Sequence, residues 1–185
     1  RLTSNASIAI SGLEAGASWE YSSNSGTTWT AGTGSSFTVT AGSYSTGQVQ
    51  ARQTDLAGNL SPAFTSFAAF TVDTSAAAPT LSLAADTGAS SSDRMTNSAS
   101  ITISGLEAGA SWEYSTNSGG SWSTGSGSSF TVAAGSYSTG QVQARQTDLA
   151  GNLSAANTTF GSFTLDTAAA APSLALAAEI GRAHV

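Results

Sequence analysis

The residues of this sequence that could do chemistry are acidic side chains, several of which fall in loops between short apolar stretches. The chain of 185 residues has 11 Asp and Glu against 5 Lys and Arg. Carboxylates without neighbouring cations repel one another, and Ca²⁺ binds about six to eight oxygens from Asp, Glu, Asn and backbone carbonyls. The sequence therefore predicts a calcium cluster in these loops, with the candidate ligands Asp73, Asp86, Asp93, Asp148 and Asn97.

An ordinary turn is the alternative interpretation of the same loops. Asp, Asn, Gly and Ser favour turns by themselves, since their side chains hydrogen-bond to nearby backbone groups. On that interpretation, hydrogen bonds alone close the segment Asp148–Asn152 and no metal is needed. Both interpretations stay open at this point, because composition does not say which loops meet.

A catalytic function is not expected from these residue types. The chain has no cysteine and no lysine, and its one histidine, His184, lies in a tail that breaks the pattern of the rest. Nucleophilic and acid–base catalysis depend on such groups. The pairs Glu14 with Glu20 and Glu107 with Glu113 resemble a glycosidase pair, but each combines a loop residue with one on an outer strand face. We therefore expect no enzyme.

Nucleic acids and membranes are not expected partners either. The formal net charge is −6, and the positive charges are isolated arginines. Nucleic acids and anionic membranes attract clustered basic residues instead. No apolar run approaches the roughly 20 residues that a membrane span requires.

The sequence repeats itself with a constant offset of 93 residues, as the positions of Trp19 and Trp112 show. Ser11–Tyr21 returns as Ser104–Tyr114, and Gln48–Leu60 returns as Gln141–Leu153. A unit of about 90 residues can enclose its own core, whereas solenoid units of about 20 to 45 residues cannot. The predicted domains are a repeat without its first strand (1–74), a complete repeat (75–168) and the first strand of a third repeat (169–178).

The last residues, 179–185, do not continue the repeat. They resemble the translation of a sequencing adapter, so we interpret them as a non-native tail that carries no information about the fold.

Short stretches of alternating apolar and polar residues predict β-strands, for example Leu81–Leu83, Ser100–Ser104 and Phe163–Leu165. Gly, Ser and Asn clusters separate them, which is typical of seven or so antiparallel strands in two sheets. The predicted fold class is all-β, with tandem immunoglobulin-like Greek-key β-sandwich domains. The predicted core of the complete repeat consists of Leu81, Leu83, Ile101, Ile103, Trp112, Phe130, Val132, Val142, Ala144, Phe163 and Leu165.

Tryptophans are interpreted as structural residues. Trp112 is predicted to anchor the core, with a sugar-stacking platform as the alternative. The segment Ser22–Trp29 resembles a sialidase Asp-box with Asn24 in place of the acid, but propeller blades recur at about 40 to 50 residues, so we interpret it as a hairpin. A hairpin centred on Ser25 would pair Tyr21 with Trp29 across the strands.

Other polar and aromatic residues also have structural interpretations. Tyr44 and Tyr137 lie where a tyrosine corner would anchor the turn into the sixth strand. Exposed ion pairs are predicted between neighbouring strands, Glu20 with Arg52 and Glu113 with Arg145.

A family resemblance rests on the combination of these motifs. Gln141–Asn152, a strand ending in Leu165–Thr167 and an Ala-rich segment with Pro172 together resemble the bacterial Ig-like repeats of giant surface adhesins. The first copy has the same ending at Val72–Thr74, and Asp86–Asn97 is similar to the junction that begins each repeat of these adhesins. The resemblance covers residues 1–178.

The resemblance implies a biofilm-associated or host-binding protein that a type I system exports to the cell surface. Its repeats would form a long stalk stiffened by calcium, with adjacent repeats of the same chain as partners and host or matrix ligands bound by other domains. An immunoglobulin-like strand order would bring Asp148 close to Asp86, Asp93, the Glu107 loop and Asp73.

Two functions from different classes remain at this point. The first is a structural spacer, to which each domain would add about 35 to 40 Å of length, since a strand rises about 3.3 Å per residue. The second is a repeat that itself binds glycans, receptors or like repeats. An exposed apolar patch on every repeat would favour the second.

Overall fold

The structure is a computed structural model that describes residues 1–176. Those residues contain seventeen strands and no helix, so the all-β prediction is confirmed. No helix that could cross a membrane occurs within them. The strands are β1 (Leu2–Thr3), β2 (Ser7–Ala9), β3 (Ser18–Ser22), β4 (Thr30–Ala31), β5 (Ser36–Thr38), β6 (Gly42–Tyr44), β7 (Gln50–Thr54), β8 (Phe70–Val72), β9 (Thr80–Leu83), β10 (Met95–Thr96), β11 (Ser100–Ser104), β12 (Ser111–Ser115), β13 (Ser123–Thr124), β14 (Ser129–Thr131), β15 (Gly135–Tyr137), β16 (Gln143–Thr147) and β17 (Phe163–Leu165).

The second repeat contains three small sheets. Their strand orders are β9–β11–β14, β13–β12–β16 and β10–β17–β15. All pairings are antiparallel except β10 with β17, which is parallel and departs from the antiparallel arrangement that we expected. Alternate residues of all three sheets point into one apolar cluster, which gives the repeat a sandwich-like core.

The first repeat has the same strands at the same offset but lacks a counterpart of β9. Its strands β1 to β8 correspond to β10 to β17. Where β9 pairs with β11 in the second repeat, β2 pairs with β5 alone. Within the described residues the first repeat therefore has eight strands and the second has nine, and the domain bounds 1–74 and 75–168 stay a prediction.

The core of the second repeat agrees with the sequence prediction except at three positions. Leu81 and Leu83 are only partly buried, because β9 lies at the edge of its sheet. Phe160 is buried as well, although it was not predicted. Ile101 and Val142 are completely buried, and the remaining predicted residues belong to the same cluster.

Trp112 is a core residue, as predicted. Only 4% of its surface is exposed, and its indole nitrogen donates a hydrogen bond to the carbonyl of Gly127 at 3.2 Å. Gly125 lies so close to the indole that a Cβ atom there would come within 2.2 Å of the ring. The ring is therefore enclosed by protein rather than presented as a sugar platform.

The predicted tyrosine corners are present in both repeats. The hydroxyl groups of Tyr44 and Tyr137 donate hydrogen bonds to the carbonyls of Thr40 and Ala133, each at 2.9 Å. Each bond joins the end of β6 or β15 to the preceding turn.

The hairpin register predicted around Ser25 is wrong by one residue. Tyr21 pairs with Thr30 rather than with Trp29, and Tyr114 pairs with Ser123. Ser25 and Gly26 both have positive φ, of 59° and 80°, so the turn is centred between them. A shift of one residue moves a side chain to the other face of a sheet. Trp29 consequently stacks with Arg52 on the outer face.

The predicted start of a third repeat carries no strand in the structure. Residues 169–176 form none, and Leu174 and Leu176 are almost fully exposed. The assignment of 169–178 to a third repeat stays a prediction. Residues 177 and 178 and the tail 179–185 lie outside the described residues.

Candidate metal centre

The loops of the second repeat lie at two opposite poles, which the strand β9 connects. Thr80, at the start of β9, pairs with Ser104, at the end of β11. Glu107 follows β11 and therefore lies at the same pole as the connection from the first repeat. Asp86 follows the far end of β9, about 20 Å away at about 3.3 Å per residue. We call these the entry pole and the exit pole.

Three carboxylates meet at the entry pole. One ligand oxygen each from Asp73, Glu107 and Asp148 lies within 4.8 Å of the other two. Asp73 follows β8 of the first repeat, whereas Glu107 and Asp148 come from two loops of the second repeat. Asp148 is buried and the other two are half-buried. The cluster thus lies at the junction of the two repeats and combines carboxylates from both.

Asp148 is held rigidly by the turn that it closes. Its carboxylate accepts hydrogen bonds from the backbone and side-chain nitrogens of Asn152, at 2.8 and 2.7 Å. Burial of the carboxyl raises the Asp148 pKa, but these bonds and those from the backbone of Ala150 and Gly151 lower it by more. The net pKa lies below its ordinary value, so the group is a carboxylate at neutral pH.

The same loops also grip the connecting segment between the repeats. The Asn152 side chain donates to the Asp73 carbonyl at 2.8 Å. Glu107 accepts a hydrogen bond from the backbone of Ala77 at 2.8 Å, and Gln146 donates to the Ala77 carbonyl at 2.7 Å. Gln146 is completely buried. The connection therefore lies against the second repeat along its length.

The group of three carboxylates contains neither Asp86 nor Asp93, and the assignment of Asp86, Asp93 and Asn97 as metal ligands stays a prediction. Asp86 and Asp93 accept hydrogen bonds from the backbone of Arg94 and Met95, both at 3.0 Å, and shape the turn into β10. Asn97 accepts a hydrogen bond from Thr87 at 3.1 Å. Asp86 follows the far end of β9, about 20 Å from the start of that strand at about 3.3 Å per residue, whereas Asp93 and Asn97 flank β10. The cluster consists of Asp73, Glu107 and Asp148.

Glu107 was expected near the cluster but was not included among the predicted ligands. The feature that could have identified Glu107 as a ligand is its position three residues after β11, at the pole where the preceding repeat attaches. Its equivalent in the first repeat is Glu14, which follows β2 at the corresponding position.

The first repeat contains the same aspartate turn without the cluster. Asp55 accepts hydrogen bonds from the backbone and side chain of Asn59, at 2.7 and 2.8 Å. The side-chain bond is the largest of the effects that lower its pKa. Among the described residues, however, Asp55 belongs to no group of three acidic side chains. The turn thus forms by hydrogen bonding alone, whereas the carboxylate cluster also includes Asp73, which follows β8 of the first repeat.

The predicted ion pairs are present on the outer sheet face and include an aromatic partner that the sequence did not reveal. Arg145 contacts Glu113 at 2.8 Å, and its guanidinium lies 4.0 Å from the centre of the Trp122 ring. Arg52 makes the equivalent contacts with Glu20 and Trp29. One face of each tryptophan is therefore covered by an arginine of its own repeat.

Comparison with known proteins adds no assignment to this geometry. The sequence matches no family model and no curated protein.

Proposed function

We propose that this chain is a non-catalytic structural part of a large bacterial cell-surface adhesin. Its tandem immunoglobulin-like repeats would form an extended stalk for cell adhesion and biofilm formation, exported by a type I system. The observation that carries this proposal is the hydrogen-bonded junction between the repeats, where Asn152, Glu107 and Gln146 bind the connecting segment Asp73–Ala77. A spacer needs such a junction, since free linkers would let the repeats fold back on one another.

Calcium at the entry pole is part of the same proposal. The cluster offers oxygen donors only, three carboxylates from three separate segments, which fit the preference of Ca²⁺ for hard oxygen ligands. Asp73, Glu107 and Asp148 would hold the ion. When bound, it supplies positive charge that cancels the repulsion between the three carboxylates. Asn152 and the backbone around it keep Asp148 oriented towards the junction.

Thermal unfolding of the chain in calcium and in chelator tests this proposal. A ligand that binds only the folded state stabilises it by about 2.7 kcal/mol at a concentration of about 100 times its Kd. We expect calcium to raise the melting temperature of the second repeat and Asp148→Asn to abolish most of that rise. Small-angle X-ray scattering should show an extended chain in calcium, with a broader distribution of dimensions in chelator.

The first repeat provides the matched control. Asp55→Asn changes the same turn at a position without the cluster, so the calcium-dependent rise should remain. Asp93→Asn changes a turn outside the cluster, so the calcium-dependent rise in melting temperature should remain in this variant as well. Equal melting temperatures in calcium and chelator for the unmodified chain would contradict the calcium part of the proposal.

A repeat that itself binds glycans, receptors or like repeats is the second candidate. The half-buried Trp29 and Trp122 recur on the same outer face of both repeats, which favours a repeated contact surface. Retention of the chain on immobilised glycans, lost in Trp29→Ala with Trp122→Ala, would support this candidate. Retention that persists in the double variant would exclude the tryptophan face as the site.

A further inference from the structure

A completely buried amide side chain, that of Gln146, lies at the entry pole beside the connecting segment. Its carbonyl oxygen accepts a hydrogen bond from the backbone N–H of Glu107 at 2.8 Å. Its amide nitrogen donates to the Gly105 carbonyl at 3.1 Å and to the Ala77 carbonyl at 2.7 Å. A primary amide has two N–H donors, so both are used. Within the described residues, all the hydrogen bonds of this side chain therefore go to main-chain atoms.

The backbone of Gln146 is fixed within the second repeat. The residue lies on β16 and pairs with Trp112 of β12. Its N–H donates to the hydroxyl of Ser154 at 3.0 Å, and its carbonyl accepts a hydrogen bond from the Ser154 N–H at 2.8 Å. The side chain thus extends to the connecting segment from a strand that is bonded on both sides.

The bonds of Gln146 join the connecting segment to the loop after β11. Ala77 belongs to the connecting segment, four residues after Asp73, and its carbonyl is bonded to Gln146. The Ala77 N–H donates to the carboxylate of Glu107 at 2.8 Å, and the Glu107 N–H donates to Gln146. Ala77, Glu107 and Gln146 therefore form a closed ring of hydrogen bonds in which each residue contacts the other two.

The equivalent residue of the first repeat, Gln53, holds its own loop in the same way. Its side chain accepts a hydrogen bond from the Glu14 N–H at 2.8 Å and donates to the Gly12 carbonyl at 3.3 Å. The bonds that hold the loop thus recur in both repeats. The bond from Gln146 to Ala77 adds the connecting segment to this recurrent contact.

We propose that Gln146 is the positioning residue of the junction, which sets the register of the segment Asp73–Ala77 on the second repeat. Because its partners are main-chain atoms, it fixes the path of this segment without requiring particular side chains in it. Release of Ala77 would leave an amide donor of Gln146 without its acceptor, which is unfavourable for a buried group. This inference deepens the proposed spacer function and rests on it, but it does not require calcium.

Amide hydrogen exchange of Gln146→Met, followed by NMR in chelator, tests the docking of the segment. Methionine has a side chain of similar length but no N–H donor. We expect the Ala77 amide to exchange about tenfold faster in the variant. This amide donates to Glu107 and not to Gln146, so its faster exchange reports release of the segment. An unchanged exchange rate at Ala77 would overturn the proposal.

The relative alignment of the two repeats provides a readout that the stability of a single repeat does not change. Residual dipolar couplings of the unmodified chain in chelator should fit one alignment tensor for both repeats, whereas Gln146→Met should require two. One tensor in both proteins would overturn the positioning role of Gln146 and leave the spacer proposal intact. Two tensors in the unmodified chain would contradict the fixed junction and the spacer proposal with it.

Gln53→Met is the matched control in the first repeat. It should speed exchange of the Glu14 amide, whose acceptor it removes, and leave the Ala77 amide and the single alignment tensor unchanged. Equal acceleration at Ala77 in Gln53→Met and Gln146→Met would show a general effect of losing a buried amide, and would overturn the specific role of Gln146.

Gln146→Glu separates the two sides of the contact. Its ionised carboxylate still accepts the Glu107 N–H but cannot donate to Ala77. We expect faster exchange at Ala77 with continued protection at Glu107, and protection of both amides would overturn the proposal. This variant also replaces Gln146→Met if methionine unfolds the repeat. Such unfolding would appear as faster exchange at Ile103, whose N–H donates to the Ser128 carbonyl at 2.9 Å.

Discussion

At the scale of single residues, the Asp148 turn links hydrogen bonding to pH. Its carboxyl has a lowered pKa, so the stability that the ionised group contributes is present above the unfolded pKa of about 3.9 and is lost as the pH falls through the lower folded value. We expect Asn152→Ala, which removes the side-chain hydrogen bond, to raise the Asp148 pKa in a carboxyl titration followed by NMR.

The equivalent change in the first repeat is the control for this pKa prediction. Asn59→Ala should raise the pKa of Asp55 and leave that of Asp148 unchanged, since the two turns do not share hydrogen bonds. An Asp148 pKa that is the same in Asn152→Ala and in the unmodified chain would show that the turn does not set it.

At the scale of elements, the hairpin between β12 and β13 stores backbone strain. Ser118 has φ of 58° and precedes Gly119 at 82°, and this left-handed pair favours Asn-Gly. We expect Ser118→Asn to stabilise the second repeat by about 0.5 to 1 kcal/mol and Ser118→Val to destabilise it by about 1 to 2 kcal/mol. Urea unfolding followed by tryptophan fluorescence measures both, and the same sign for the two variants would contradict the prediction.

Among the elements, the core residues could be predicted from the sequence, whereas the positions of the loops could not. Alternation predicted Ile101, Ile103 and Phe163 as core residues, because strand periodicity and burial follow from local pattern. The pole at which a loop lies does not follow from local pattern, because it depends on how far the preceding strand carries the chain. β9 carries it across the repeat, which places Asp86 far from Asp148. A two-residue turn likewise shifted the hairpin register by one residue.

At the scale of the described residues as a whole, the two repeats should differ in stability, because no strand among these residues pairs with β2 as β9 pairs with β11. Ile8 and Ile10 are half-buried where Ile101 and Ile103 are buried, and each large apolar side chain contributes about 1.5 to 3 kcal/mol when fully buried. We therefore expect two calorimetric transitions for dilute protein in chelator, with the first repeat unfolding at the lower temperature.

Equivalent core variants assign the two calorimetric transitions. Val72 and Leu165 occupy the same position and are each 2% exposed. Val72→Ala should lower the temperature of only the first transition, and Leu165→Ala should lower that of only the second. We expect each variant to reduce the free energy of unfolding of its own repeat by about 2 to 5 kcal/mol. If either variant moved both transitions together, the junction hydrogen bonds alone would couple the repeats into one cooperative unit. The spacer would then be stiff without calcium, because a repeat that cannot unfold by itself cannot pivot freely on its neighbour.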